Sequence, residues 1–278
     1  MSVVVVTDSS ARLPTDLRGQ WDIRVVPLHV LVDGDDLRDG VDDMPADLYQ
    51  RQQVSTAGAS PAELAAVYRA ALADSRGDGV LAVHLSTELS STLGAAEHAA
   101  GEFGGLVRVV DSRSAGMGTG FVALSAARAA GGGADLETVV AQAEKAVPMV
   151  HSYIVVQRLE NLRRSGRIGA AASWLGTALA VKPLLRIDDG RLVLAQRVRT
   201  TSKAVAAMVE QVLEVVGEGR AALAVQHVDN PAGAADIAAT LAGGLPGCGT
   251  PVVTDLGPVL GVHLGPGAVG VVVALEPA

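Results

Sequence analysis

Hydroxyl groups crowd one short stretch of this chain: five of the seven residues in STELSST, Ser86 to Thr92, are serine or threonine. The stretch follows the apolar run GVLAVHL and precedes the Ala-rich LGAAEHAA, which places it at a strand-to-helix junction. A helix start has free backbone N–H groups and the positive end of the helix dipole, so it holds anions readily. Two readings stand side by side. Helix capping needs only one Ser or Thr. An anion site would use several, and Thr56 lies just before a second helix start, marked by Ser60, Pro61 and Glu63. Two such starts converging at the carboxyl ends of parallel strands suit a carboxylate or a phosphate, and hydroxyls without strong cations favour a singly charged group.

His263 sits in GVHLGPG, where Gly261, Gly265, Pro266 and Gly267 predict a rigid turn presenting one imidazole. A tight turn with a solvated histidine is the plainer alternative. His29, His84, His98, His151 and His227 are scattered and read as residues on strand or helix surfaces. The segment QRLENLRRSGRIG carries Arg158, Arg163, Arg164 and Arg167, a basic face in an acidic chain that is either solvated or docks something acidic. GPGAVG, Gly265–Gly270, matches G-x-G-x-x-G, but the eight residues after it read as a strand rather than the helix that would hold a pyrophosphate. P-loop, H-E-x-x-H and G-x-S-x-G patterns are absent. With no candidate for ATP or Mg²⁺, the chain is expected to use no cofactor or metal and to have no kinase activity alone. A hydrolase with Ser90 as nucleophile and His263 as base needs a third group to orient the histidine, for which Asp8 and Asp111 are the candidates.

The elements that must position these residues follow an α/β pattern. Val3–Val6 and Ile23–Val32 read as strands, and DGDDLRDGVDD as an acidic loop. Strand-helix units follow at GVLAVHL and LVRVVDSRSAGMGTGF, and Asp135 caps a further helix that ends near Pro148. After residue 150 the texture changes. The segment KPLLRIDDGRLVLAQRV reads as a hairpin, TSKAVAAMVEQVLEVV as a long helix, and the end of the chain as three short strand-like pieces. The expected architecture is two closely packed α/β domains. Residues 1–150 would hold an α/β/α parallel sheet, and residues 151–278 a mixed sheet. The apolar segment Ala170–Val181 reads as a helix that lines a pocket or simply fills the core.

Composition narrows the function. The chain has 278 residues, is 49% hydrophobic but only 3% aromatic, and carries a formal charge of −8. An interior pocket would therefore have small aliphatic walls, and a nucleic-acid partner is a poor fit. The single cysteine, Cys248, rules out an intramolecular disulfide. The opening MSVVVVTDSS lacks the features of a signal peptide, and no later run of 18 apolar residues occurs, so a soluble, cytoplasmic protein without an integral membrane segment is expected.

Taken in order, TDSS, TAGASP, LSSTLGAA, VVDSRSAGMG, LENLRRSGRIG, KPLLRIDDGRL, RVRTTSKA and GVHLGPGAVGV resemble the DegV family of bacterial fatty-acid-binding proteins over essentially the whole chain. The resemblance implies two α/β domains with a long-chain fatty acid between them. It also implies that the carboxyl group is presented to a separate ATP-binding fatty-acid kinase subunit, whose acyl phosphate feeds phospholipid synthesis. On this likeness Thr56, Ser90, Ser91, Thr92 and His263 would surround the carboxylate, and Arg163, Arg164 and Arg167 would face the kinase subunit. The chain departs from the family pattern at Ala57, Gly58 and Ala59, which replace Ser-Gln-Pro, at Ser91, which replaces a glycine, and at Ser165, where glycine is usual. A carrier of another lipid or small carboxylic acid, with no kinase partner, remains the alternative.

Overall fold

A computed structural model of the chain describes residues 3–51, 53–168 and 182–276. Its first strand, β1 (Val4–Asp8), is the β-branched run near the start of the chain, and every residue in it is buried. Helix α1 (Thr15–Gln20) leads to β2 (Arg24–Val26), which pairs with β1 in parallel. The single strand expected over Ile23–Val32 breaks at Pro27, which has no N–H for the ladder and a locked φ. The chain resumes as β3 (His29–Val32) in another sheet. Inside the stretch read as an acidic loop, β4 (Asp35–Arg38) pairs antiparallel with β3. The Asp33-Gly34 turn between them has φ of 53° and 96°, the two positive angles of a tight hairpin. On the other side of β3 lies β5 (Val54–Ala57), the strand that carries Thr56.

Helix α2 (Pro61–Ser75) begins as its sequence predicts: Ser60 and Glu63 form a reciprocal capping box, with Pro61 in the first turn. Then come β6 (Val80–His84), α3 (Thr92–Ala100), β7 (Val107–Asp111), α4 (Met117–Gly131) and α5 (Leu136–Ala146), the last capped by Asp135. The parallel sheet runs β2-β1-β6-β7. Alternation along the first strand decides which helices each residue meets. Val4 and Val6 join the cluster formed with α2 and α3, and Val3 and Val5 join the one formed with α4 and α5.

The second half contains β8 (Val150–Val155), α6 (Glu160–Arg164), the hairpin β9 (Lys182–Asp188) and β10 (Arg191–Val198), and α7 (Thr201–Val216). It continues with β11 (Ala221–His227), α8 (Pro231–Gly244), β12 (Val252–Asp255), α9 (Gly257–Leu264) and β13 (Val269–Leu275). These strands form a mixed sheet, β10-β9-β8-β13-β11-β12, in which only β11 and β12 are parallel. The predicted α/β class, with a parallel sheet and a separate mixed sheet, is the fold observed. The two sheets share a core: Ala224 and Val272 of the mixed sheet join the cluster around α4. The middle of the three expected terminal strands is instead helix α9. Its sequence GPVLGVHL is apolar almost throughout and carries no periodicity to separate helix from strand, whereas Pro258 in the first turn favours helix. The helix expected at Ala170–Val181 lies outside the described residues.

Candidate functional site

A cavity of about 430 Å³ lies where the two halves meet. Leu28, Leu85, Leu162, Ile187, Leu192 and Val259 are among its apolar walls. Its polar lining includes Thr56, Ser90, Ser91, Arg167 and His263, residues far apart in sequence. This volume falls within the range of small-molecule sites.

Thr56 reaches the cavity from β5, and its hydroxyl lies 2.8 Å from Nε2 of His263. His263 belongs to the last turn of α9, not to the Gly/Pro turn predicted for it; that turn follows, with Gly265 and Gly267 at φ of 79° and 82°. A Cβ on Gly261 would fall 2.3 Å from the Tyr49 hydroxyl, so this glycine lets α9 pack closely against Tyr49. Burial, and then the nearby Arg167 guanidinium, lower the His263 pKa to about 4, so the ring is neutral at neutral pH. Its Nδ1 is buried and has no hydrogen-bond partner among the described residues.

The hydroxyl stretch divides its labour. Ser86 is buried and holds the loop: its N–H donates to Ser114 O, and its hydroxyl accepts from Glu88 N. The Ser90 hydroxyl accepts from Thr92 N at 3.2 Å and lies 2.9 Å from the Thr92 hydroxyl. Ser91, the residue before α3, makes no side-chain cap and is exposed at the cavity edge. Gly58, one of the departures from the family pattern, brings the two helix starts together, since a Cβ there would fall 2.6 Å from the Thr92 hydroxyl. The β9–β10 hairpin braces the loop from the other half. Gly190 fits against Ser86, and Arg191 pairs with Glu88 at 2.9 Å.

Of the arginines predicted as one face, Arg164 and Arg167 meet in one cleft and Arg163 lies outside it. Arg167 lines the cavity and also an adjoining polar cleft of about 500 Å³ that it shares with Thr56, His263 and Arg164. Its Nε donates to Leu89 O at 3.3 Å, next to Ser90. Arg163 is exposed and lines neither hollow.

Other expectations need correction. His84, read as a surface residue, is wholly buried, with Nδ1 donating to Asp8 at 2.9 Å and Nε2 2.9 Å from the Tyr68 hydroxyl. His29 is also buried, paired with Asp36 and Glu63. Asp8 further accepts from Leu85 N and Ser10 N, and Asp111 accepts from Arg113 N. The bonds recorded for Asp8, Asp111, Ser90 and His263 therefore do not join them into a triad: His263 bonds to Thr56 instead. Sequence reasoning also missed Gln226, 3% exposed, which lines the cavity from β11. A polar residue directly after the apolar AALAV run was the available signal.

Comparison with known proteins extends the likeness to the whole chain. The family model described as "Uncharacterised protein, DegV family" matches residues 2–276. A DegV domain-containing protein of Mycobacterium tuberculosis is 60% identical over 273 residues, covering 98% of this chain and 97% of that one. A solved structure titled for fatty acid binding of a DegV family protein from Thermus thermophilus is 35% identical, with a TM-score of 0.90 over 99% of this chain and 100% of that one. A Bacillus subtilis structure, described as DegV, a fatty acid binding protein, is 30% identical, again with a TM-score of 0.90 over 99% and 100% of the two chains.

Proposed function

The chain belongs to the DegV family, and on that premise we propose that it holds a long-chain fatty acid in the cavity and presents the carboxyl group to a separate ATP-binding kinase subunit. The observation that carries this reading is an apolar cavity with Thr56, Ser90 and His263 on its polar side, the Thr56 hydroxyl bonded to the His263 ring and the Ser90 hydroxyl backed by that of the buried Thr92. Relatives from Thermus thermophilus and Bacillus subtilis, described as fatty-acid-binding, support it. Removing a carboxylate from water costs several kcal/mol unless donors replace its hydration shell. The hydroxyls of Thr56 and Ser90 serve as those donors, with Thr92 behind Ser90. A neutral His263 protonated on Nε2 donates to Thr56 and leaves the threonine proton free for the anion. The acyl chain supplies the affinity, at roughly 0.8 kcal/mol for each buried methylene before the costs of association.

Arg164 and Arg167 in the polar cleft, with Arg163 outside it, face the kinase subunit. That subunit brings ATP, makes the acyl phosphate and directs it to phospholipid synthesis in the cytoplasm; the chain itself carries no cofactor. No helix among the described residues is long and apolar enough to cross a membrane, which suits such a carrier.

Mass spectrometry of the purified protein, native and then denatured, tests the first step. A co-purified long-chain acid released on denaturation is the expected result, and a protein that is empty and takes up no added fatty acid overturns the reading. Tight binding without acyl-phosphate formation by any candidate kinase subunit would leave a carrier that has no kinase partner. Hydrolysis of p-nitrophenyl esters, lost in Ser90→Ala, would instead make the chain an enzyme.

A further inference from the structure

The cavity has a second polar patch, built from other elements than those carrying Thr56, Ser90 and His263. Ser152 of β8 and Gln226 of β11 line it there, each bonded to the segment that enters α4. Gly116 precedes α4 and caps it with no side chain of its own. The cap comes from the opposite sheet instead: Gln226 Oε1 accepts from Met117 N at 3.0 Å. That bond fixes which way the amide faces, because only the oxygen can accept from an N–H. Nε2 is therefore on the other side, and it is buried with no hydrogen-bond partner among the described residues. The backbone of Gln226 is paired on both sides, with Thr254 of β12 and Gly270 of β13, so its side chain is the part that lines the cavity. Beside the same loop, the buried Ser152 hydroxyl lies 3.1 Å from that of Ser114.

A buried amide donor without an acceptor is costly and rare in native proteins. A plain hydrocarbon chain would leave it unpaired. We infer that Gln226, with Ser152, recognises an oxygen atom carried on the acyl chain itself, which makes the preferred ligand a hydroxy or oxo fatty acid. The chain oxygen accepts from Gln226 Nε2, and a hydroxyl at that position also donates to Ser152. The inference rests on the cavity being an acyl site and adds the chemical class of the chain. Gln226 serves as the specificity residue, and its cap on α4 ties that recognition to the contact between the two sheets.

The test is titration of the full chain, stripped of bound lipid, with stearic acid, its mono-hydroxylated positional isomers and the matching oxo acids. At least one oxygenated isomer should bind about tenfold more tightly than stearic acid, the size expected for one well-made hydrogen bond to a buried donor. Gln226→Leu should bring that ratio to about one. Gln226→Glu keeps an acceptor for Met117 N but replaces the donor with another acceptor, so it should abolish the preference for the oxo acid, and it carries the test if the leucine variant does not fold. Stearic acid binding as tightly as every oxygenated isomer, or a preference that survives both substitutions, overturns this inference alone. Failure of every acid to bind overturns the acyl reading beneath it.

Discussion

His84 and His263 are both largely enclosed, yet their surroundings differ. His84 has a partner at each ring nitrogen, the Asp8 carboxylate and the Tyr68 hydroxyl, and all three residues are at 0% exposure. His263 lines a cavity and has one partner, Thr56; its other ring nitrogen is buried and unpaired among the described residues. A buried polar group whose bonds are all made holds a structure together; one with capacity left over beside a hollow is available to a ligand. The contrast separates a bolt in the parallel sheet from the polar station of the cavity, although the sequence presents two similar histidines.

The largest expected effect lies at the bolt. Asp8→Ala leaves His84 Nδ1 and the N–H groups of Leu85 and Ser10 without their acceptor, and should cost roughly 3–5 kcal/mol in denaturant unfolding. Ligand affinity of the folded fraction should hold; a stable variant with weakened binding would break the comparison.

Next comes the pH response of the station. His263 titrates near 4 when folded, below the ordinary value of 6.5, so between these two values the unfolded chain binds the extra proton. Its contribution to stability is complete above about pH 6.5 and is lost as pH falls towards 4, by roughly 3 kcal/mol in all. Unfolding free energies measured across that window should show the slope in the parent chain and a flatter one in His263→Asn. Equal slopes would mean that another group carries the acid response.

Thr56→Val should give the smallest change. The affinity of a fatty acid relative to its methyl ester should fall about tenfold, because only the anion uses the lost hydroxyl. An unchanged ratio, read by competitive displacement of a fluorescent fatty acid, would place the carboxylate elsewhere.

Much of the scaffold was legible because its signals are local. The β-branched run at Val3–Val6, the Ser60–Glu63 box, the Asp135 cap and the hairpin around Asp189-Gly190 each involve neighbours in sequence. The split at Pro27 was local as well, but the apolar pattern on both sides masked it. Helix α9 was unreadable for a different reason: most of it is buried, so no polar face marks its period. The site was half legible. The hydroxyl cluster stood out by composition, whereas the positions of His84 and Gln226 depend on what packs against their strands.

The sequence alone determined that the chain is α/β, that hydroxyls gather at a strand-to-helix junction, and which family pattern those motifs follow. Local propensity and period write such features directly into the order of residues. Tertiary structure decided that Thr56 and His263, 207 positions apart, share a hydrogen bond, that Arg167 turns to the cavity while Arg163 does not, and that Gln226 caps a helix of the other half. Those contacts arise when two sheets close on a common core, and no spacing along the chain encodes the distance across that closure.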